Sequence, residues 1–439
     1  MFEWSETDLM IRDGIRGFIA KEIRPHLDAL DSGEMSPYPI IRKLFSEFGI
    51  DVMASEAVEK MLAKERARDA GEPGSGETGS GETGSGKSGE TSAPEKEEAS
   101  SGGSGAFEGQ DSLMAVVVSE LAGACMGMVS ALGVSIGLGA TTLMSRGTLA
   151  QKERWLPGIA TMEKVAAWAI TEPDSGSDAF GGMQTYVRRD GDEYILNGRK
   201  TFITNGPAAD ILIVYAKLDE GDPTVDRRDR KVLTFVLESG MEGLTQSPPL
   251  KKMGLHSSPT GELSFDDVRL RRDRLLGETE EHRGGDGRES ARASFTAERT
   301  GVAIMALGII TECHRLCVEY ARERTLWGQE IGRFQLIQLK LAQMEVARFN
   351  VQNMVFHSIE RARAGKPLSL AEASAMKLYS SEAATDVAME AVQLFGGNGY
   401  MAEYRVEQLA RDAKSLMIYA GSNEVQVTHI AKGLLRTGG

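Results

Sequence analysis

Residues 194–203 read Tyr194-Ile-Leu-Asn-Gly-Arg-Lys-Thr-Phe-Ile203, apolar alternations with the turn residues Asn197 and Gly198 between them. Alternation at a period of two sends successive side chains to opposite faces of a strand. Downstream, Ile211-Leu-Ile-Val-Tyr215, Val232-Leu-Thr-Phe-Val-Leu237 and Glu262-Leu-Ser-Phe265 repeat the β-branched and aromatic texture. Glycine and charged residues fill the segments between them, as in loops. Residues 166–275 therefore read as a small antiparallel, barrel-like β domain.

On both sides of this region the period changes to that of helices. Residues 4–66 read as helices, with Ser5-x-x-Asp8 as a capped start and Pro25 and Pro37 as punctuation. The helical pattern resumes from about 107 to 165. Beyond Gly287 it runs through 290–323, 335–363, 369–395 and 403–437, interrupted at Gly328, Gly365-Lys-Pro367 and Gly396-Gly-Asn-Gly399. The expected architecture is mainly α with a central β domain. An N-terminal helical domain (1–165) precedes the β domain (166–275), and a C-terminal four-helix bundle (288–437) follows it.

Composition narrows the function. The chain has 439 residues and a net charge of -14, which argues against a non-specific nucleic-acid binder. Its first residues, Met1 to Ile15, are charged and amphipathic without an apolar signal core. The apolar run from Leu113 to Leu143 is rich in small residues and carries Glu120, so buried helices are expected rather than a membrane span. The three cysteines fit a reducing cytoplasm. Cys313-His314-x-x-Cys317 lies in an apolar helical run with no second ligand pair nearby. These are expected to be core cysteines and no metal site is expected.

From Gly71 to Gly105 the chain is almost entirely Gly, Ser, Glu, Thr and Lys. Such a segment has nothing to bury and is expected to be a disordered insertion at about 71–105. Within it, Gly81-Glu-Thr-Gly-Ser-Gly-Lys-Ser88 spells a phosphate-loop pattern. That chemistry needs a strand before the loop and a helix after it, and only more repeat flanks this one. Nucleotide binding there is not expected.

Five segments carry the chemical signal. They are Trp168-Ala-Ile-Thr-Glu-Pro-Asp-Ser-Gly-Ser-Asp178, Asn197-Gly-Arg-Lys-Thr-Phe-Ile-Thr-Asn-Gly206 and Arg324-Thr-Leu-Trp-Gly-Gln-Glu-Ile-Gly-Arg-Phe-Gln335, followed by Gln393-Leu-Phe-Gly-Gly-Asn-Gly-Tyr400 and Arg411-Asp-Ala-Lys414. In this order and spacing they resemble the acyl-CoA dehydrogenase family over nearly the whole chain. The resemblance implies FAD as cofactor, an acyl-CoA substrate, an electron-transfer flavoprotein as acceptor, and a homodimer or homotetramer in the cytoplasm. It places Trp168, Ile170, Thr171, Ser177, Phe202 and Thr204 at the flavin, with Ser177 also reaching the substrate. Arg324, Gln335, Gln393, Gly396 and Gly397 would grip its diphosphate and adenine from a neighbouring subunit, and Ser422 and Glu424 would add to the cofactor site. Arginine forks suit phosphate oxygens, and glycines allow close backbone approach.

The reaction implied needs a base for the α proton of a thioester and hydrogen-bond donors for the developing enolate. Most of the family carries the base in a Tyr-Glu-Gly-Thr segment. Here the matching stretch is Ile418-Tyr-Ala-Gly-Ser-Asn-Glu424, with Ala420 at the base position. Isovaleryl-CoA and long-chain members carry the glutamate on an earlier helix, in a pattern similar to Phe295-Thr-Ala-Glu298-Arg299. Glu298 is therefore the candidate base. Phe295, Arg299, Ala420 and Gly421 would line the substrate, and the Ala420 N–H would serve the enolate. Two alternatives stay open: a flavin oxidase or monooxygenase on the same fold, and a catalytically inactive acyl-thioester binder.

Overall fold

In the computed structural model, which describes residues 3–70, 111–281 and 285–436, the chain opens on the helix start expected at Ser5. Ser5 caps α1 (Glu6–Phe18): its hydroxyl accepts from the Asp8 N–H, and its own N–H donates to the Asp8 carboxylate at 2.9 Å. Helices α2 (Leu27–Ser32), α3 (Tyr38–Glu47) and α4 (Ile50–Asp69) follow. The expected disordered insertion at 71–105, with its Gly81–Ser88 pattern, lies outside the described residues. Helices α5 (Asp111–Leu132), α6 (Thr141–Arg146) and α7 (Leu149–Ala160) lead to the sheet.

The sheet contains β1 (Ala166–Ala169), β2 (Tyr186–Asp190), β3 (Glu193–Thr204), β4 (Ile211–Leu218), β5 (Val232–Glu238), β6 (Leu244–Gln246) and β7 (Thr260–Arg271). The order is β1-β4-β2-β3-β7-β6, with β5 also on β4. The expectation of a wholly antiparallel domain needs correction, because β1–β4 and β2–β4 pair parallel. The β2–β3 hairpin lies between β1 and β4 in sequence, which gives the chain the length a parallel return needs. Asn197 and Gly198 do not divide two strands either. They sit within the continuous β3, where the register against β7 shifts between Leu196 and Gly198. A Cβ on Gly198 would lie 2.6 Å from the Thr185 Cα, so glycine is required there. Every side chain of β4 is buried. Leu212, Val214 and Ala216 face the sheet's own core, while Ile211, Ile213 and Tyr215 face Trp155 and Leu156 of α7. Burial on both faces explains a continuous apolar run.

The C-terminal helices are α8 (Gly287–Glu323), α9 (Gln335–Arg363), α10 (Leu370–Phe395), α11 (Val406–Ser415) and α12 (Asn423–Arg436). Helix α10 packs against α8, α9, α11 and α12. The stretch read as one run over 403–437 breaks between α11 and α12, where Ala420 and Gly421 adopt left-handed φ values of 56° and 78°. The helices before and after the sheet share one core: Phe18, Leu44 and Leu121 pack with Ile309, Ile310, Cys313 and Cys317. Two stretches, Ser112–Arg146 and Gly287–Glu323, are long and apolar enough to cross a membrane, and most of each apolar window is buried within the protein.

Candidate active site

Helix α8 carries Phe295, Glu298 and Arg299 across the face turned toward α10 and the α11–α12 turn. Arg299 is buried; its Nη1 donates to the Ser374 hydroxyl of α10 at 3.0 Å, and its guanidinium lies over the Phe295 ring at 5.6 Å. Glu298 is half-buried, and among the described residues no hydrogen bond or ion pair engages its carboxyl. Burial pushes that carboxyl up to about 7, against the pull of Arg299 and Lys377. An unengaged carboxyl with a raised pKa, beside a cation, is the state a general base needs near neutral pH.

The α11–α12 turn lies beside Arg299, the neighbour of this carboxyl on α8. Ala420 contributes only a methyl group, and the site of a Cβ on Gly421 lies 3.9 Å from Arg299 Nη2. Both turn carbonyls are held from below. Gln426 Nε2 donates to the Ala420 and Gly421 carbonyls at 3.1 and 2.7 Å, and Lys377 Nζ donates to the Gly421 carbonyl at 2.9 Å. Tyr419 is close enough that the Glu298 charge adds to the upward push of burial on its phenol. Glu298, Arg299, Phe295, Ala420 and Gly421 are thus brought together.

The second expected cluster forms at one end of the sheet. The turn after β1 is folded around Glu172, whose carboxylate accepts from Lys200 Nζ at 2.8 Å and from the Gln184 and Thr185 N–H groups. Burial pushes the Glu172 carboxyl up, but Lys200 and these donors outweigh it and hold it below its ordinary value. Lys200 also donates to the Ile170 carbonyl, and the Thr201 N–H donates to the Thr171 carbonyl. Thr171 is thereby tied to the end of β3. There Phe202 takes a left-handed φ of 57° and is 67 % exposed, with half-buried Thr204 two residues on. A left-handed φ at an aromatic residue is strained backbone, held only because the surrounding structure fixes it. Trp168 is fixed by Nε1 donating to the Tyr215 hydroxyl, Ile170 is buried, and Ser177 is exposed in its turn.

The remaining candidates sit elsewhere. Arg324 follows the far end of α8, about 39 Å from Glu298 at the helical rise per residue. Gln335 opens α9, while Gln393, Gly396 and Gly397 end α10. Stacking of Tyr320 of α8 on Phe395 of α10 at 4.0 Å brings the ends of these two helices together. All five are exposed, and nothing lies within 4 Å of where a Cβ on Gly396 or Gly397 would stand. Within one chain this cluster and the Glu298 cluster cannot touch the same end of one ligand. Ser422 and Glu424 begin α12, one half-buried and one exposed. The exposed ring, the flanking hydroxyls and the open glycines form a set that fits a planar cofactor with polar edges and a phosphate tail.

The family models for the N-terminal, middle and C-terminal domains of acyl-CoA dehydrogenase match residues 97–163, 167–268 and 285–435. A short-chain-specific acyl-CoA dehydrogenase of Megasphaera elsdenii is 38% identical over 77% of this chain and 86% of its own length. The chain belongs to the acyl-CoA dehydrogenase family. Its fold is similar to butyryl-CoA dehydrogenase from Megasphaera elsdenii, with a TM-score of 0.79, 32% identity and coverage of 99% of this chain and 100% of that one. It is also similar to a chain in a structure of the electron transferring flavoprotein of Acidaminococcus fermentans, with a TM-score of 0.75, 30% identity and coverage of 99% and 100%. As a member of the acyl-CoA dehydrogenase family it is an FAD-dependent oxidoreductase of the acyl-CoA dehydrogenating kind.

Several residues that support these clusters carry no readable sequence signal of their own. Lys377, Ser374 and Gln426 are ordinary letters on amphipathic helices, and only packing shows them beneath the turn. Asn205 stands in a quoted motif, yet its task emerges only in three dimensions. Its Nδ2 donates to the Ala131 and Ala166 carbonyls at 2.9 and 2.8 Å, its Oδ1 accepts from the Tyr38 hydroxyl, and its N–H donates to the Pro259 carbonyl.

Proposed function

We propose that the protein oxidises an acyl thioester across its α and β carbons to the 2-enoyl product, with Glu298 taking the α proton. The observation that carries this reading is the unengaged Glu298 carboxyl, raised to about 7, opposite a turn whose usual acidic position is Ala420. Glu298 accepts the proton at a carboxylate oxygen. The Ala420 N–H donates to the thioester oxygen as charge develops there. Arg299 and Phe295 line the substrate, and the methyl group of Ala420 leaves the acyl chain room to approach Glu298. FAD supplies the acceptor for the β hydrogen and its electron pair. Phe202, Thr171, Thr204, Trp168, Ile170 and Ser177 would hold its ring system. Ser422 and Glu424 would extend that contact along α12.

The separation along α8 supports assembly from more than one chain. Arg324, Gln335, Gln393, Gly396 and Gly397 would hold the diphosphate and adenine of a neighbour's cofactor, in a homodimer or a homotetramer. An electron-transfer flavoprotein is the proposed acceptor, in the cytoplasm, and the acyl group is a fatty or branched-chain one.

Anaerobic mixing of the flavin-loaded protein with acyl-CoAs of differing length and branching tests the reading. Bleaching of the flavin absorbance by at least one acyl-CoA, lost in Glu298→Gln, is the expected result. Bleaching that survives this substitution removes Glu298 as the base. Absence of bleaching with every thioester leaves a binder. Rapid reoxidation by dissolved oxygen in preference to an electron-transfer flavoprotein makes the protein an oxidase.

A further inference from the structure

Lys377 is fully buried at the interface of α10 with α8 and α12. A buried ammonium is costly unless its donors are used. Two are accounted for: Nζ donates to the Gly421 carbonyl and to Asn423 Oδ1, both at 2.9 Å. Asn423 Oδ1 also accepts from Ser381, and the Asn423 N–H donates to the Met417 carbonyl at 3.0 Å. With the two Gln426 bonds, the carbonyl sides of two successive left-handed residues are fastened to side chains beneath them.

Fastening the carbonyls has a consequence for the amides. In a trans peptide the N–H points opposite to the C=O of the preceding residue. The Gly421 and Ser422 N–H groups are therefore turned away from Gln426 and Lys377. Among the described residues no acceptor takes the N–H of Ala420, Gly421 or Ser422. Three successive amides without partners, on a turn beside Arg299, leave donors available to a negatively charged oxygen. Two left-handed φ values hold that shape only while something over-determines them.

We propose that Lys377 is a positioning residue: through the Gly421 carbonyl and Asn423 it fixes the Ser422 amide and, with the Gln426 bonds, the turn that carries the Gly421 and Ala420 amides, in the array that receives the thioester oxygen as it becomes an enolate. This rests on the α,β-dehydrogenation reading and adds to it the group that keeps the donors in place. Lys377 touches neither substrate nor cofactor. Its charge also offsets the effect of burial on Glu298, so it acts on the two halves of the proton transfer together.

The experiment uses the flavin-loaded full chain and a 3-ketoacyl-CoA, whose enolate forms beside oxidised flavin without hydride transfer and absorbs at long wavelength. Titrating that absorbance against pH reads enolate stabilisation directly. Lys377→Met is expected to raise the pH midpoint of enolate formation by about one unit, a tenfold loss of stabilisation. It is also expected to lower kcat for acyl-CoA oxidation tenfold or more while KM changes little. Lys377→Arg restores most of both. Should Lys377→Met not fold, Lys377→Gln, which keeps a donor but no charge, is expected to give an intermediate midpoint. Wild-type midpoint and kcat in a folded Lys377→Met or Lys377→Gln overturn the proposal. A wild-type protein that forms the enolate but never bleaches with any acyl-CoA overturns the dehydrogenation reading and leaves the role of Lys377 in the amide array standing.

Discussion

Glu172 and Lys200 form an ion pair of 2.8 Å in which the two side chains are 2% and 0% exposed. The pair joins the turn after β1 to the end of β3, the two segments that present Thr171 and Phe202. Removing one partner strands a charge in a site water cannot reach. Lys200→Met is therefore expected to lower stability by about 3–5 kcal/mol and to release flavin. Replacing both with apolar residues of similar volume is expected to cost less. Chemical denaturation with flavin absorbance as a second probe measures both effects.

Glu298 must be ionised to take a proton. With the carboxyl raised to about 7, kcat/KM is expected to climb about tenfold per pH unit below 7 and to level off above it. Glu298→Gln is expected to lower kcat by roughly 10²–10⁴-fold at the plateau, the range for losing a general base. A pH series of anaerobic bleaching rates decides this, and a profile flat from pH 5 to 8 contradicts it.

The same group makes an opposite statement about stability. Its folded pKa lies above its unfolded value, so the native state binds the proton more tightly than the unfolded chain. Its stabilising contribution is present below the unfolded pKa and is lost as pH rises through about 7. Glu298→Gln is expected to raise stability at pH 8 by roughly 1–2 kcal/mol, allowing for its partial solvent contact, and to change nothing at pH 4. Thermal unfolding at the two values tests the sign.

Phe202 offers an exposed ring from strained backbone. Phe202→Ala is expected to weaken flavin retention about tenfold, the upper range of an aromatic contact, with little loss of fold stability. Fluorescence titration of flavin into the stripped protein measures it. An unchanged affinity removes Phe202 from the cofactor site.

Asn205 is buried and satisfied on every polar atom of its side chain. Asn205→Ala strands the Tyr38 hydroxyl and two backbone carbonyls. The expected cost is about 2–4 kcal/mol, read by urea unfolding. Asn205→Asp is expected to be as damaging, because a carboxylate cannot donate to the Ala131 and Ala166 carbonyls.

Periodicity made the helix–sheet–helix order legible, since 3.6- and 2-residue patterns follow from which face is buried. Helix bounds at 335–363 were legible to the residue because Gln335 and Arg363 coincide with changes in pattern. Pairing direction was not legible: the β4 run looks alike whether its neighbour is parallel or antiparallel. The Asn197-Gly198 bulge read as a turn because both require the same residue types. The Glu298 cluster could be drawn from motifs. The Lys377–Gln426 support could not, since a lysine that faces inward has the same letter as one that faces solvent. The break between α11 and α12 was hidden by apolar spacing that continues across it, and only Gly421 hints at it.

The four bonds of Asn205 also bear on the order in which the molecule comes together and apart. Its side-chain partners stand 167, 74 and 39 positions away along the chain. Such an amide rewards folding only after α3, α5 and β1 have all arrived, so it closes late. In the native state the reverse holds. An excursion that lifts α3 leaves Asn205 short of a partner at once and loosens the end of β3 that carries Phe202. The N-terminal helices and the exposed aromatic end of β3 are therefore expected to open together, and amide exchange at Thr204 and Asn205 would report how often they do.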